Sequence, residues 1–278
     1  MDQALMSFFS TKKAVVPIEQ RVHQAYDDHR NFYAAEHNFM LFKIQKVAST
    51  SLWTAMAALM GHGTIKSREQ LLGLQLPALP GHQLDLYPEI FKAGFVRNPW
   101  DRLLSCYLQK KKYNRYKFYQ RNQLDPNGSF GEFVEAVCRI PEWKADKHFR
   151  SQYTFVTSFE GSFLTDFIGH FEHLEEDFER LSQQAQLPKL HLPHWNKTEH
   201  DSYTQYYSPA LADKVAQRYA IDLALFGYEF GKELTEEARN RWQRPIPTAL
   251  QLKIAQYKSK KLLHAIEQVS QYVSPYKE

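Results

Sequence analysis

Short apolar runs that alternate with helix-forming segments constrain the fold of this chain most strongly. The run at 39–44 stops at polar residues, which is typical of a buried strand. A helix-forming segment follows at 52–60 and ends at a glycine. A second strand is predicted at 90–96, and a proline shortly after it is well placed to open a helix at 99–112. Strand, loop and helix therefore occur twice in succession.

The alternation continues through the second half of the chain. Ser129 and Glu132 have the spacing of a capping box and predict a helix there. A third strand is predicted at 167–171, followed by helices at 175–186 and 208–225. Strands that alternate with helices indicate parallel βαβ crossovers. We therefore expect an α/β fold, with a parallel sheet flanked by helices.

The C-terminal segment, 248–273, is predicted to form one long helix because its apolar residues recur on a single face. We expect this face to pack on the rest of the domain, and the alternative is a homodimer formed through the helix. The domain itself is assigned to residues 1–233, and the helical extension to 234–278. The apolar positions that define the face are Leu250, Ile254, Tyr257, Leu262, Ile266, Val269 and Val273.

The composition excludes several classes of protein. The chain has 278 residues, of which 43% are apolar and 24% charged, a profile far from that of a disordered chain. Its two cysteines, Cys106 and Cys138, cannot form a disulfide framework or a four-cysteine zinc site. A net charge of +4 is too small to indicate a nucleic-acid partner, and none is expected. No apolar run is long enough to span a membrane, so we expect a cytoplasmic protein.

The loop between the first strand and its helix carries residue types that suit an anion. Free backbone N–H groups and the helix dipole favour anions at such a junction. The loop is not a Walker A motif, because GxxxxGK[ST] is absent. The alternative is an ordinary helix with a Ser or Thr N-cap. The residues of the predicted phosphate or sulfate site are Lys46, Val47, Ala48, Ser49, Thr50 and Ser51.

The second strand–helix junction strengthens this interpretation. Arg97 stands at the predicted strand end, and Ser105 follows two helical turns later. Two anion sites at adjacent strand ends suit a nucleotide with two separated phosphates. The alternative is that Arg97 only pairs with Asp101 and that Ser105 is a surface hydroxyl.

Five segments in order resemble the carbohydrate sulfotransferase family that includes the chondroitin and dermatan 4-sulfotransferases. They are the loop, FVRNPWDRLLSCY at 95–107, HFRSQY at 148–153, DFIGHFEHLEEDF at 166–178 and the segment from LPHWNK to GYEF at 192–230. The resemblance covers about residues 38–230. It implies a P-loop-like α/β fold, 3′-phosphoadenosine 5′-phosphosulfate (PAPS) as donor and a sugar hydroxyl as acceptor.

The resemblance also implies roles for individual residues. Lys46 and the loop hydroxyls would hold the 5′-phosphosulfate, whereas Arg97 and Ser105 would hold the 3′-phosphate. Asn196 and Lys197 lie in a polar loop that the resemblance places near the donor. Sulfuryl transfer needs positioning and charge neutralisation more than covalent help. No metal is expected, because no cluster of metal ligands is evident in the sequence.

The acceptor hydroxyl loses its proton as the sulfur is attacked, which requires a general base. His148 is the first candidate because it stands where the family has a His-Trp-x-Pro-Gln motif. The alternative is that His148 only shapes the acceptor pocket. His82 is the second candidate, since it lies shortly before the second strand, a region from which other glycan sulfotransferases draw their base.

A basic and aromatic stretch at 110–121 suits an anionic polymer, with aromatic faces available to stack on sugars. The alternative is a solvated helix face whose aromatic residues pack inward. The stretch contains Lys110, Lys111, Lys112, Tyr113, Arg115, Tyr116, Lys117, Phe118, Tyr119 and Arg121.

The sequence therefore predicts a PAPS-dependent carbohydrate sulfotransferase of polysaccharide biosynthesis. Two other functions stay open. One is a P-loop kinase or NTPase that uses the same loop, and the missing Walker residues count against it. The other is a non-enzymatic module that binds a glycan or another polyanion through the basic stretch.

Overall fold

The computed structural model describes residues 30–80, 84, 87–113, 115–193 and 202–270. Within them, five strands form one sheet with the order β3-β1-β2-β4-β5. β2, β4 and β5 are adjacent and parallel, whereas β1 runs antiparallel to both of its neighbours. The strands are β1 (Arg30–Ala34), β2 (Phe39–Leu41), β3 (Ala78–Pro80), β4 (Phe91–Val96) and β5 (Phe167–His170).

Helices connect and flank the strands, which confirms the expected α/β fold. They are α1 (Ser49–Leu59), α2 (Arg68–Gly73), α3 (Pro99–Lys112), α4 (Tyr116–Asn122), α5 (Phe130–Arg139), α6 (Tyr153–Val156), α7 (Leu174–Gln184), α8 (Pro209–Arg218), α9 (Ala220–Phe226), α10 (Glu236–Arg239) and α11 (Thr248–Ser270). Short 3₁₀ turns occur at Ala35–His37, Glu142–Lys144, Phe171–His173, Tyr203–Tyr206 and Arg241–Gln243. In the described parts of the chain, no helix combines the length and the apolar character needed to cross a bilayer.

Several local predictions hold with adjusted boundaries. The capping box at the start of α5 is present, since Ser129 and Glu132 exchange hydrogen bonds between side chain and backbone. The helix predicted at 208–225 is two helices, because the backbone leaves the helical conformation at Tyr219. β2 ends earlier than predicted, although the Phe42 N–H still bonds the Ala93 carbonyl oxygen over 2.8 Å. β1 and β3, which pair antiparallel with each other, were not predicted: β3 has only three residues, and β1, with the sequence RNFYA, opens with two polar residues and so lacks a continuous apolar run.

The middle of the sheet is filled by aromatic side chains. The rings of Phe95 and Phe167 lie 6.4 Å apart on the parallel strands, and both residues are buried. Gly169 faces Phe95, and a Cβ atom at Gly169 would stand 2.4 Å from that ring. The glycine is therefore the residue that lets β5 pair with β4 at this register.

The C-terminal helix, α11, packs on the domain, as expected. Lys258 Nζ donates a hydrogen bond to the Thr154 carbonyl oxygen over 2.8 Å. Gly161 lies against the first turn of α11, where its missing Cβ would come within 2.7 Å of the Gln251 backbone. A homodimer through this helix and the division of the chain at residue 233 stay predictions.

The buried face of α11 differs from the predicted one. Ile266 was predicted to be buried, but it is 44% exposed, and Val273 lies outside the described residues. Two lysines occupy the buried face because their aliphatic stems cover apolar surface while the ammonium groups reach polar partners. The buried positions are Ile254, Tyr257, Lys258, Lys261, Ala265 and Val269.

Candidate active site

The loop after β2 has an unusual backbone. Lys46 and Ala48 both adopt positive φ angles, 72° and 58°, although neither is glycine. Such conformations cost free energy and are typical of functional loops, where they turn backbone N–H groups toward an anion. Ala48 is the N-cap of α1 and makes no side-chain cap bond. The alternative of a Ser or Thr N-cap is therefore wrong, and the predicted hydroxyl residues form the first turn of α1.

Seven of the predicted donor residues meet in one open cleft of about 1670 Å³ at the carboxyl ends of the parallel strands. The loop contributes Lys46, Ala48 and the hydroxyl residues at 49–51, and the second junction contributes Arg97 and Ser105. The Val47 side chain points instead into the hydrophobic core and is 1% exposed. Val47 does not line the cleft, and its predicted contact with the donor stays a prediction.

Arg97 joins the two junctions. Its Nη1 atom donates a hydrogen bond to the Lys46 carbonyl oxygen over 3.1 Å. Its Nε atom donates to the Asp101 carboxylate over 2.9 Å, and its guanidinium stacks over the Phe171 ring at 4.0 Å. Arg97 therefore pairs with Asp101, as the alternative stated, and also lines the cleft beside the loop.

A buried glutamine holds the Arg97 backbone. The Gln152 side chain accepts a hydrogen bond from the Arg97 N–H over 2.9 Å and donates one to the Arg97 carbonyl oxygen over 2.8 Å. Asp222 accepts the Gln152 and Tyr153 N–H groups, each over 2.8 Å. Burial raises the pKa of Asp222 to about 6, although these N–H groups favour the carboxylate. Sequence reasoning missed this role of Gln152, and its position in the HFRSQY segment was the only signal.

Glu172 orients the turn that follows Arg97. It accepts the Asn98 N–H over 2.7 Å and the Tyr228 hydroxyl over 3.0 Å. Asn98 in turn caps α3, because its side-chain oxygen accepts the Trp100 N–H over 3.1 Å. Burial raises the pKa of Glu172, while the Asn98 N–H opposes the shift. The turn is therefore held from two sides before α3 begins.

His148 lies in the same cleft and is paired with a carboxylate. Its Nδ1 atom is 2.6 Å from Asp146 Oδ1. Burial opposes ionisation of Asp146, but hydrogen bonds from His148 outweigh burial and lower the pKa of Asp146 to about 2. An ionised carboxylate only accepts hydrogen bonds, so Nδ1 carries the proton. Nε2 is therefore the basic nitrogen of the neutral ring.

The charge state of His148 follows from its surroundings. Burial lowers the pKa of His148, the Asp146 hydrogen bond opposes this shift, and the nearby Lys110 ammonium adds to it. The imidazole is therefore neutral near pH 7. A neutral histidine oriented by a carboxylate has the arrangement of a general base.

Arg102 ties the donor loop to the His148 segment. The guanidinium is 1% exposed and donates to three backbone carbonyl oxygens, those of Gln45 over 3.0 Å, Arg150 over 2.8 Å and Lys147 over 3.2 Å. These carbonyls lie in segments that precede Lys46 and flank His148. Sequence reasoning did not identify Arg102, because nothing local distinguishes it from a surface arginine.

Lys46 is cationic in a partly buried position. Burial lowers the pKa of Lys46 to about 8; the neighbouring Cys106 opposes this shift, and Arg97 and Lys110 add to it. Within the described residues, no carboxylate forms an ion pair with the Lys46 ammonium. A bound anion would therefore relieve this accumulation of positive charge.

Some aromatic residues of the basic stretch at 110–121 are buried, whereas others line the cleft. Phe118 and Tyr119 are buried, as the packing alternative stated. Tyr113 and Tyr116 are 43% and 61% exposed and line the rim of the cleft. The Lys111 ammonium points elsewhere and donates to the Tyr107 hydroxyl and the Gly128 carbonyl oxygen. The rim therefore offers aromatic faces beside exposed cations.

Three predicted residues cannot be compared with the structure. His82, Asn196 and Lys197 lie outside the residues that the structure describes. A second base at His82 and a donor contact at Asn196 and Lys197 stay predictions.

Comparisons with known proteins identify the family of this chain. The model of the Sulfotransferase family matches residues 29–229. Carbohydrate sulfotransferase 14 of Danio rerio is 24% identical over 245 aligned positions, and the match covers 74% of this chain and 64% of the relative. An uncharacterized protein of Archaeoglobus fulgidus is 34% identical over 95 residues, 34% of this chain and 67% of the relative. No solved structure matches the chain. Because the family model covers most of its length and the whole cleft, the chain belongs to the sulfotransferase family.

Proposed function

We propose that this protein transfers a sulfuryl group from PAPS to a hydroxyl of a carbohydrate acceptor. One observation carries the proposal: a strained, lysine-bearing loop, a buried arginine and a carboxylate-paired histidine share one cleft. The relative from Danio rerio, named carbohydrate sulfotransferase 14, supports the carbohydrate acceptor.

The residues of the two strand ends fit the donor. The positive φ angles at Lys46 and Ala48 and the first turn of α1 form a backbone cradle for the 5′-phosphosulfate. Arg97 and Ser105 would hold the 3′-phosphate, since both line the cleft and Arg97 is already ordered by Asp101. A bound donor supplies an activated sulfuryl group, and the protein supplies position and charge.

The other groups have complementary tasks in direct in-line transfer. His148 Nε2 accepts the proton of the acceptor hydroxyl, and Asp146 stabilises the imidazolium that forms. Lys46 neutralises the charge that develops on the departing phosphate oxygen. Arg102 keeps these two segments at a constant separation through its three carbonyl bonds.

The rim of the cleft supports a sugar oligomer or polymer as acceptor. Tyr113 and Tyr116 are exposed there, and Arg115 lies 5.7 Å from the Tyr113 ring. Aromatic faces stack on sugar rings, and nearby cations attract anionic substituents. A role in polysaccharide biosynthesis and a cytoplasmic location belong to the same proposal; the two cysteines are unpaired, which suits a reducing compartment.

The decisive experiment is calorimetric titration of the protein with adenosine 3′,5′-bisphosphate, AMP and ATP with Mg²⁺. We expect binding that requires the 3′-phosphate and is lost in Arg97→Ala. Arg244→Ala is the matched control, because Arg244 is 61% exposed and pairs with Glu237. A preference for ATP would support a kinase or NTPase. Salt-sensitive polymer binding that survives loss of Lys46 and Arg97, without nucleotide binding, would support a binding module.

A further inference from the structure

Lys110 is a buried cation in the last turn of α3. The residue is only 7% exposed, and its Nζ atom lies 4.4 Å from the centre of the Phe118 ring. Within the described residues, the ammonium makes no hydrogen bond and no ion pair. A charge removed from water without an anionic partner costs free energy. The fold therefore retains at Lys110 a charge that suits a ligand.

The position of Lys110 in the cleft indicates which ligand its charge would bind. Arg102, Cys106 and Lys110 follow one another at four-residue spacing and so share one face of α3. Lys110 lines the cleft together with Lys46 and His148. The Phe118 ring contacts the Lys110 ammonium and also the His148 ring, whose centroid is 5.7 Å away.

The electrostatics agree with this placement. The Lys110 charge contributes to the lowered pKa of both Lys46 and His148, so the ammonium acts on both ends of the reaction site. The carboxylate of Asp146, which lies near Lys110, is hydrogen-bonded to His148. Lys110 thus lines the cleft that holds Lys46 and contacts the same Phe118 ring as His148.

We propose that Lys110 binds the sulfuryl group while it is transferred. This inference rests on the proposed function. The acceptor oxygen forms a bond to sulfur as the bond from sulfur to the 5′-phosphate oxygen breaks, and that electron pair leaves with adenosine 3′,5′-bisphosphate. The acceptor proton passes to His148 Nε2. The non-bridging sulfuryl oxygens carry negative charge throughout, and Lys110 neutralises it.

The test compares two ligands that differ by the sulfuryl group. Calorimetry without acceptor measures the affinity of Lys110→Met for PAPS and for adenosine 3′,5′-bisphosphate. We expect PAPS to bind about 10- to 100-fold more weakly than to the natural protein, as for loss of one charge-assisted bond. The affinity of Lys110→Met for adenosine 3′,5′-bisphosphate should stay within about two-fold of that of the natural protein. Lys111→Met is the matched control, because its ammonium bonds outside the cleft, and both affinities should stay unchanged.

Each other outcome overturns the inference. Equal weakening of both ligands would make Lys110 a nucleotide or structural residue. Unchanged affinities, with only the KM of the acceptor raised, would make it an acceptor residue. Lys110→Met should also keep or raise the thermal midpoint, since it removes a buried charge, and a fall would indicate a structural role. If the natural protein bound neither nucleotide, the proposed function itself would fail.

Discussion

The Arg97 guanidinium donates a hydrogen bond to the Lys46 carbonyl oxygen over 3.1 Å, across 51 residues of sequence. This bond links the loop that follows β2 to the turn that follows β4. Because the Lys46 backbone has a positive φ angle, the bond also helps to hold a conformation that the loop alone disfavours. The distance between the two predicted phosphate sites is therefore set by the protein before a donor binds.

Replacement of Lys46 with alanine should abolish useful turnover and leave the fold intact. The ammonium lies in a cleft that already holds Arg97 and Lys110, so its removal relieves repulsion. We expect kcat to fall by at least about 100-fold, as for loss of one group that stabilises developing charge. A transfer assay and a thermal unfolding curve measure the two effects. An unchanged rate would contradict the role of Lys46.

The pH profile of kcat/KM should be bell-shaped. Burial lowers the pKa of His148 below its usual value near 6.5, so the base becomes active as pH rises through that lowered value. Lys46, with a pKa of about 8, loses its proton as pH rises further, and activity should fall. In the pH profile of kcat, the alkaline limb should move to higher pH, because a bound anion raises the pKa of Lys46. A profile that does not fall between pH 7 and 9 would contradict the role of Lys46, and one without an acid limb at any pH where the protein stays folded would contradict that of His148.

Asp146→Asn should move the acid limb and slow the reaction. The Asp146 carboxylate raises the pKa of His148, so its removal should shift the acid limb to lower pH. The imidazolium formed during transfer would also lose its partner, and we expect kcat to fall about 10- to 100-fold. Steady-state rates across pH measure both effects. A shift of the limb to higher pH would be inconsistent with this pairing.

Arg102→Lys should weaken the whole fold. A lysine ammonium cannot reach all three carbonyl oxygens to which the planar Arg102 guanidinium donates hydrogen bonds. We expect the free energy of unfolding to fall by about 2 to 4 kcal/mol, which urea denaturation measures. Arg244→Lys, at an exposed position, should change it by less than about 0.5 kcal/mol. Equal effects of the two variants would refute the bridging role.

Alanine substitutions at two glycines should have different effects on the free energy of unfolding. At Gly169 a Cβ atom would stand 2.4 Å from the Phe95 ring, so Gly169→Ala should cost about 1 to 3 kcal/mol through overpacking. At Gly131, in α5, a Cβ atom would stand 4.0 Å from the Ser129 hydroxyl oxygen, an ordinary van der Waals contact. Gly131→Ala should be neutral or stabilise by up to about 1 kcal/mol. Denaturation curves distinguish the two, and a stable Gly169→Ala variant would mean that Phe95 can move.

Local patterns predicted much of this fold. The apolar run before the loop, the proline that opens α3 and the capping box at Ser129 and Glu132 all correspond to observed elements. The residue types of the donor loop also predicted an anion site after β2, and the structure places Lys46 and Arg97 in one cleft there. Patterns failed where the signal was weak: β1 opens with two polar residues, β3 has only three residues, and the break at Tyr219 interrupts an otherwise continuous helical pattern.

The sequence by itself determined the three parallel strands, the helices that follow them and the candidate residues for anion binding, because periodicity, capping and backbone restriction act between near neighbours. Only the tertiary structure decided how those residues meet. Gln152 bonds the Arg97 backbone from 55 residues away, and Arg102 bonds Gln45 and Arg150 across 57 and 48 residues. Each of these bonds is stable because its partners are removed from water together, a condition that exists once the chain has folded and that no local segment encodes.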